Sequence, residues 1–261
     1  MPIRADFVYM APPFLAYYGV ATKNASVLQA SVEQCRLYQQ ILVANTTSGP
    51  YDPPASHPDS ASGLWEHIMG PVNNDPGLWS TGNAWAAAGM MRVLATVIKA
   101  PSSLYQNTPT SANDLSLSWK NQAVQDLTTC ICEILDAAMR MPVDGGLLLN
   151  YLDDTRWFGE TSGTALLASV AYRLSVLAPS LPLTDGDVSN YVQWAENIRM
   201  VFGQGHITSN GTATPAVNPL GWGDTTPWTA GSPEGQNFVV MMYAAWRDCV
   251  YAGVDGCNAG W

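Results

Sequence analysis

Hydrophobic and polar positions along the chain alternate between two kinds of helical segment. From about Asp6 to Val20 an apolar run continues despite Pro12 and Pro13, a pair that fits a helix only in its first turn or at a kink. Residues from about Ser26 to Ala44 repeat apolar side chains (Val27, Leu28, Val32, Cys35, Leu42) at helical spacing, with a polar face opposite. After the Pro/Ser/Gly loop SGPYDPPASHPDSASG, an almost wholly apolar helix is predicted beyond Ser80-Thr81-Gly82. Amphipathic helices are predicted from about Ser116 to Met141 and from Val188 to about Phe202. Between them, Thr161-Ser162-Gly163 leads an apolar segment, and after them Ser232-Pro233-Glu234-Gly235 leads another. Short runs such as Gly146–Tyr151 are candidates for small hairpins within the loops.

Helices that are apolar on all sides are buried, and amphipathic ones cover them. Four of the first kind and three of the second, in alternation, predict an all-α ring of helical hairpins, with an inner set packed on a core and an outer set facing water. The inner helices' leading turns then gather at one end: Asp6, Trp79–Asn83, Glu160–Gly163 and Ser232–Gly235. Each alone reads as a helix cap. Together, as polar turns at positive helix ends, they predict a pocket.

Composition narrows the partners. A net charge of −10 in 261 residues argues against nucleic acid and anionic membranes. No apolar run reaches the roughly 18 residues needed to cross a bilayer. Ten Trp and eleven Tyr are many for this length; most belong to a core, and rings beyond its needs suit stacking platforms, with sugars one ligand class that uses them. The five cysteines form no metal pattern, so neither metal nor cofactor is expected. Cys130 and Cys132 point to different faces of one helix, while Cys249 and Cys257 either close a small disulfide or remain thiols. Sequons at Asn24, Asn45 and Asn210 lean towards secretion, although MPIRADF is not a signal segment.

The motifs carry a resemblance. DFVYMAPPFLAYYG resembles the D-x-x-x-M-x-x-P-F-L element of the unsaturated rhamnogalacturonyl hydrolases, glycoside hydrolase family 105. Gly63-Leu64-Trp65-Glu66-His67, Leu78-Trp79-Ser80-Thr81-Gly82-Asn83-Ala84-Trp85, Glu160-Thr161-Ser162-Gly163-Thr164-Ala165 and Ser232-Pro233-Glu234-Gly235-Gln236 follow in the family's order. The likeness runs over nearly the whole chain and is nearest to secreted, fungal-type members.

The resemblance implies an (α/α)6 six-hairpin toroid in a single domain over residues 1–261. It implies a secreted hydrolase acting on pectin-derived (rhamnogalacturonan) oligosaccharides that end in an unsaturated uronic acid. Asp6 matches the catalytic acid/base, and Met10, His67, Trp79, Thr81 and Trp85 match sugar-site positions. Where the bacterial pattern reads W-G-R-G-N-G-W, this chain has Thr81 in place of the arginine. Such a toroid has twelve helices and this chain predicts seven, so the N-terminal hairpins are expected to be lacking. Phe14, Leu15, Tyr17, Phe238, Val239 and Met242 are then expected on exposed flanks. An inactive or carbohydrate-binding relic of the same fold is the alternative reading.

Overall fold

The structure is a computed structural model that describes residues 2–44, 57–105, 117–183, 185–221 and 223–258. The first apolar run splits at Ala11 into α1 (Phe7–Met10) and α2 (Pro12–Ala21), with Pro12 opening the second helix. A proline lacks the N–H that a helix interior needs, and this is the position where that loss costs nothing. In α3 (Ala25–Leu42), the Asn24 side chain accepts from the Val27 N–H at 3.3 Å and caps the helix. Then come α4 (Ser80–Lys99), α5 (Leu117–Met139), α6 (Thr161–Leu177), α7 (Asp185–Val201) and α8 (Pro233–Tyr251). Ser116, the Asn45 sequon and residues 48–56 of the Pro/Ser/Gly loop lie outside the described residues.

Chain order sets the packing. Each outer helix lies on its inner neighbour: α3 on α2, α5 on α4 and α7 on α6. Side by side inside run α1/α2, α4, α6 and α8, with α6 touching both α4 and α8. Small residues let the inner helices approach closely. A Cβ added at Gly89 of α4 would lie 2.3 Å from the Val8 carbonyl oxygen of α1, closer than atoms tolerate. A buried ion pair pins α7: Arg199 Nη2 donates to Glu196 Oε2 at 2.8 Å, and Tyr172 of α6 donates to Glu196 Oε1 at 2.8 Å.

Phe14 and Tyr17 are exposed, as expected, whereas Leu15 is partly buried. Phe238, Val239 and Met242 correct that expectation. They are buried, because this face of α8 packs onto the core rather than pointing outward.

Among the described residues, the named strands form two small pairs. Val143–Asp144 (β3) and Leu147–Leu148 (β4) form the hairpin expected near residue 146, turning through Gly145 and Gly146 at φ +59° and +82°, where an L side chain is strained. Ile3–Arg4 (β1) pairs with Ile68–Met69 (β2) and so ties the segment bearing Asp6 to the one bearing His67.

Cys249 and Cys257 are joined, with Cα atoms 6.0 Å apart, across the end of α8. Closing so short a loop is worth about 2–3 kcal/mol in chain entropy. Cys249→Ser is therefore expected to lower unfolding free energy by about that amount in a denaturant titration, with no further loss on adding reductant.

Candidate active site

The leading turns of the inner helices do meet. A Cβ at Gly163 would sit 2.6 Å from the Ser80 carbonyl carbon, and one at Gly235 would sit 2.7 Å from Thr161 Oγ1, so glycine is what lets α4, α6 and α8 start in contact. On the other side, the Ala5 N–H donates to the His67 carbonyl at 3.0 Å and draws Asp6 alongside.

The four leading residues play different parts. Glu160 is fully buried and accepts from the N–H groups of Ser162 (2.6 Å) and Gly163 (2.5 Å) and from the hydroxyls of Ser80 (2.9 Å) and Thr81 (3.2 Å). It caps α6 and clamps α4 to it. Burial drives its pKa above the ordinary carboxyl value, opposed by the donors around it. Ser232 caps α8 by accepting from the Gly235 N–H. Trp79 and Asp6 make no side-chain cap. Asp6 heads α1 with its carboxylate partly exposed and accepts from Arg4 Nε at 3.1 Å.

The sugar-site candidates separate by exposure. Trp79 and Trp85 are partly exposed. Trp79 donates through Nε1 to Asn150 Oδ1 at 3.0 Å, and its ring lies 4.4 Å from that of His67. Trp85 packs edge-on between Tyr9 and Phe238, at centroid distances of 4.4 and 4.7 Å. His67 is buried beneath Trp79, and Thr81 is buried against Glu160. Met10, at the end of α1, is half exposed.

Sequence reasoning missed the groups that hold these residues. Asp75 accepts from His67 Nδ1 at 2.8 Å, from the Tyr151 hydroxyl at 2.5 Å and from the Gly77 N–H at 3.0 Å. A carboxylate can only accept, so it fixes the His67 tautomer and ring plane. Burial raises the Asp75 pKa, yet these hydrogen bonds outweigh it and hold the group below its ordinary value. Behind that turn, His57 joins Asp153 (2.7 Å) and the Pro76 carbonyl (3.0 Å), and the Asp153 contact raises its pKa.

The other missed feature is the acidity of Glu234. Its Oε1 accepts from Trp85 Nε1 at 2.8 Å. Burial, with Glu160 and Asp6 nearby, pushes its pKa up to about 7 against the Trp85 hydrogen bond. The folded state thus keeps a proton that the unfolded chain loses near 4.5. The Glu234 contribution to stability is complete below that pH and disappears as pH rises through about 7. The melting temperature of wild type is expected to fall relative to Glu234→Gln across this window, as measured by thermal unfolding from pH 4 to 8. Parallel curves for the two proteins would show that Glu234 titrates normally.

Deeper in the arc, a cavity of about 900 Å³ lies towards the far ends of α4 and α6, with Arg92, Lys99 and Arg173 in its wall; none of the sugar-site candidates lines it.

Comparison with known proteins places this arrangement. No curated protein matches the chain. Among solved structures, a possible member of the GH105 family from Salmonella enterica serovar Paratyphi A superposes with TM-score 0.65 at 18% identity, over 94% of this chain and 56% of that one. A Glycosyl hydrolase family 88 protein from Bacteroides vulgatus gives TM-score 0.61 at 17% identity, over 97% and 63%. The unsaturated glucuronyl hydrolase of Bacillus sp. GL1, described as responsible for glycosaminoglycan degradation, gives 0.62 at 13% identity, over 97% and 59%. The fold is therefore that of the six-hairpin glycosidases, present as a partial toroid, and the chain spans less than two thirds of the length of each of these structures. The family model of Glycosyl Hydrolase Family 88 matches residues 4–173, which include Asp6 and all five sugar-site candidates, and the chain belongs to that family.

Proposed function

We propose that the protein hydrolyses oligosaccharides ending in a 4,5-unsaturated uronic acid, of the kind a lyase leaves on pectic rhamnogalacturonan, with Asp6 as general acid/base. In the proposed reaction the Asp6 carboxylic acid protonates C4 of the enol ether, and the cation that forms takes water at C5. The Asp6 carboxylate accepts the proton that this water sheds. The resulting hemiketal opens and releases the remaining sugar. One group suffices for both proton transfers, so a second carboxylate at glycosidase spacing is not required.

The observation that carries this reading is the state of Asp6. It stands at a helix start yet caps nothing; Oδ1 accepts from Arg4, and the partly exposed carboxylate keeps its other oxygen for the end of the arc where Trp79 and Trp85 are partly exposed. The Cys249–Cys257 disulfide and the three sequons support a secreted protein.

The test is loss of the enol-ether absorbance on mixing the protein with lyase-digested rhamnogalacturonan, with unsaturated glucuronyl disaccharides in parallel. Turnover of the pectic digest is expected. Turnover of only the glucuronyl substrates would overturn the pectic assignment. Binding of both without turnover would replace the enzyme by a carbohydrate-binding relic.

A further inference from the structure

The proposed substrate carries a carboxylate, but the groups that converge on the site are acids. Asp6 enters from α1, Glu160 from the start of α6 and Glu234 from the first turn of α8, and the charges acting on Glu234 are those of Glu160 and Asp6. α4 faces Glu234 with the neutral indole of Trp85, and its cation Arg92 lies beyond, 4.1 Å over the ring of Tyr9, and is not among the charges acting on Glu234. The cation beside Asp6, Arg4, is already paired with it, and from α3 the phenol of Tyr38 feels the charge of Asp6. Thr81 cannot greet an anion either, because its hydroxyl is buried and donates to Glu160. Asp6 enters the proposed reaction protonated and Glu160 is spent on four donors, so an incoming uronate still meets repulsion unless the third acid is neutral as well.

Glu234 is built to be that acid. An indole N–H can only donate, so Glu234 Oε1 must accept from Trp85, and any proton on the carboxyl resides on Oε2. We propose that Glu234 decides whether the site accepts a charged sugar: as a carboxylic acid it donates its Oε2 proton to the substrate carboxylate, and as a carboxylate it repels it. This rests on the function proposed above. It makes Glu234 a specificity-determining residue and gives the site a pH limit set by substrate binding rather than by Asp6. Its pKa of about 7 places that limit near neutrality.

The experiment compares kcat/KM for an unsaturated rhamnogalacturonan disaccharide and for its uronate methyl ester between pH 6 and 9. Titration of Asp6 affects both substrates and cancels in their ratio. The acid-to-ester ratio is expected to fall about tenfold for each pH unit above about 7, because binding the anion then requires uptake of one proton. In Glu234→Gln the amide donates without titrating, so the ratio should stay flat while ester turnover shows that the variant is folded. A flat ratio in wild type, which needs no variant, overturns the proposal and leaves the proposed function standing. A slope that persists in Glu234→Gln also overturns it. No turnover of either substrate at any pH overturns the proposed function and this inference with it.

Discussion

Asp6→Asn is expected to reduce turnover of an unsaturated disaccharide by at least about a hundredfold, the usual scale for losing a general acid–base group. Asparagine keeps the size of the side chain and can still accept from Arg4, so the β1–β2 pairing beside it should survive. Because Asp6 caps nothing, no cap energy is lost, and the melting temperature should stay near that of wild type. Kinetics and thermal unfolding on the same preparation check both halves. A folded Asp6→Asn protein with activity near that of wild type would remove Asp6 from the chemistry.

Glu160→Ala should instead fail as a structure. It strips the acceptor from two helix N–H groups and two hydroxyls, all buried where α4 meets α6. Each stranded donor costs about 1–3 kcal/mol, partly relieved by relaxation, and breaking a buried polar network costs about 3–5 kcal/mol in all. Against a total stability of about 5–15 kcal/mol this is a large fraction, so denaturant midpoints should drop sharply. Glu160→Gln, which keeps one carbonyl acceptor, should lose less. A loss below about 1 kcal/mol in the alanine variant would mean that the donors find other partners.

Glu160 and Glu234 also show how far sequence reading reaches. Both are glutamates at the start of an apolar helix, and spacing alone gives them equal standing. The structure separates them through partners far away in the chain. Glu160 is saturated by the two N–H groups of its own turn and by hydroxyls from Ser80 and Thr81. Glu234 receives one indole hydrogen bond, from Trp85, 149 residues distant, and is left with a raised pKa. Likewise Asp75 stands in a loop with no periodic signal, and its role appears only when His67 and Tyr151 close on it.

Sequence alone determined what depends on neighbours within a turn or two. The seven helical segments, a first turn or kink at Pro12-Pro13, a small hairpin near Gly146 and the division into buried and covering helices follow from local spacing, backbone limits and the width of each apolar face, while the structure set the break before Pro12 and the turn at Gly145-Gly146. The ordered motifs also marked the polar turns that gather at one end of the arc. Only the tertiary structure decided which side chains at those turns are spent on holding helices together and which stay available, because hydrogen-bond satisfaction and desolvation are set by groups that chain spacing does not bring together. Burial turned Thr81 and His67 inward, and Asp6, which caps no helix, keeps a partly exposed carboxylate with one bond to Arg4. Burial, with Glu160 and Asp6 nearby, raised the pKa of Glu234.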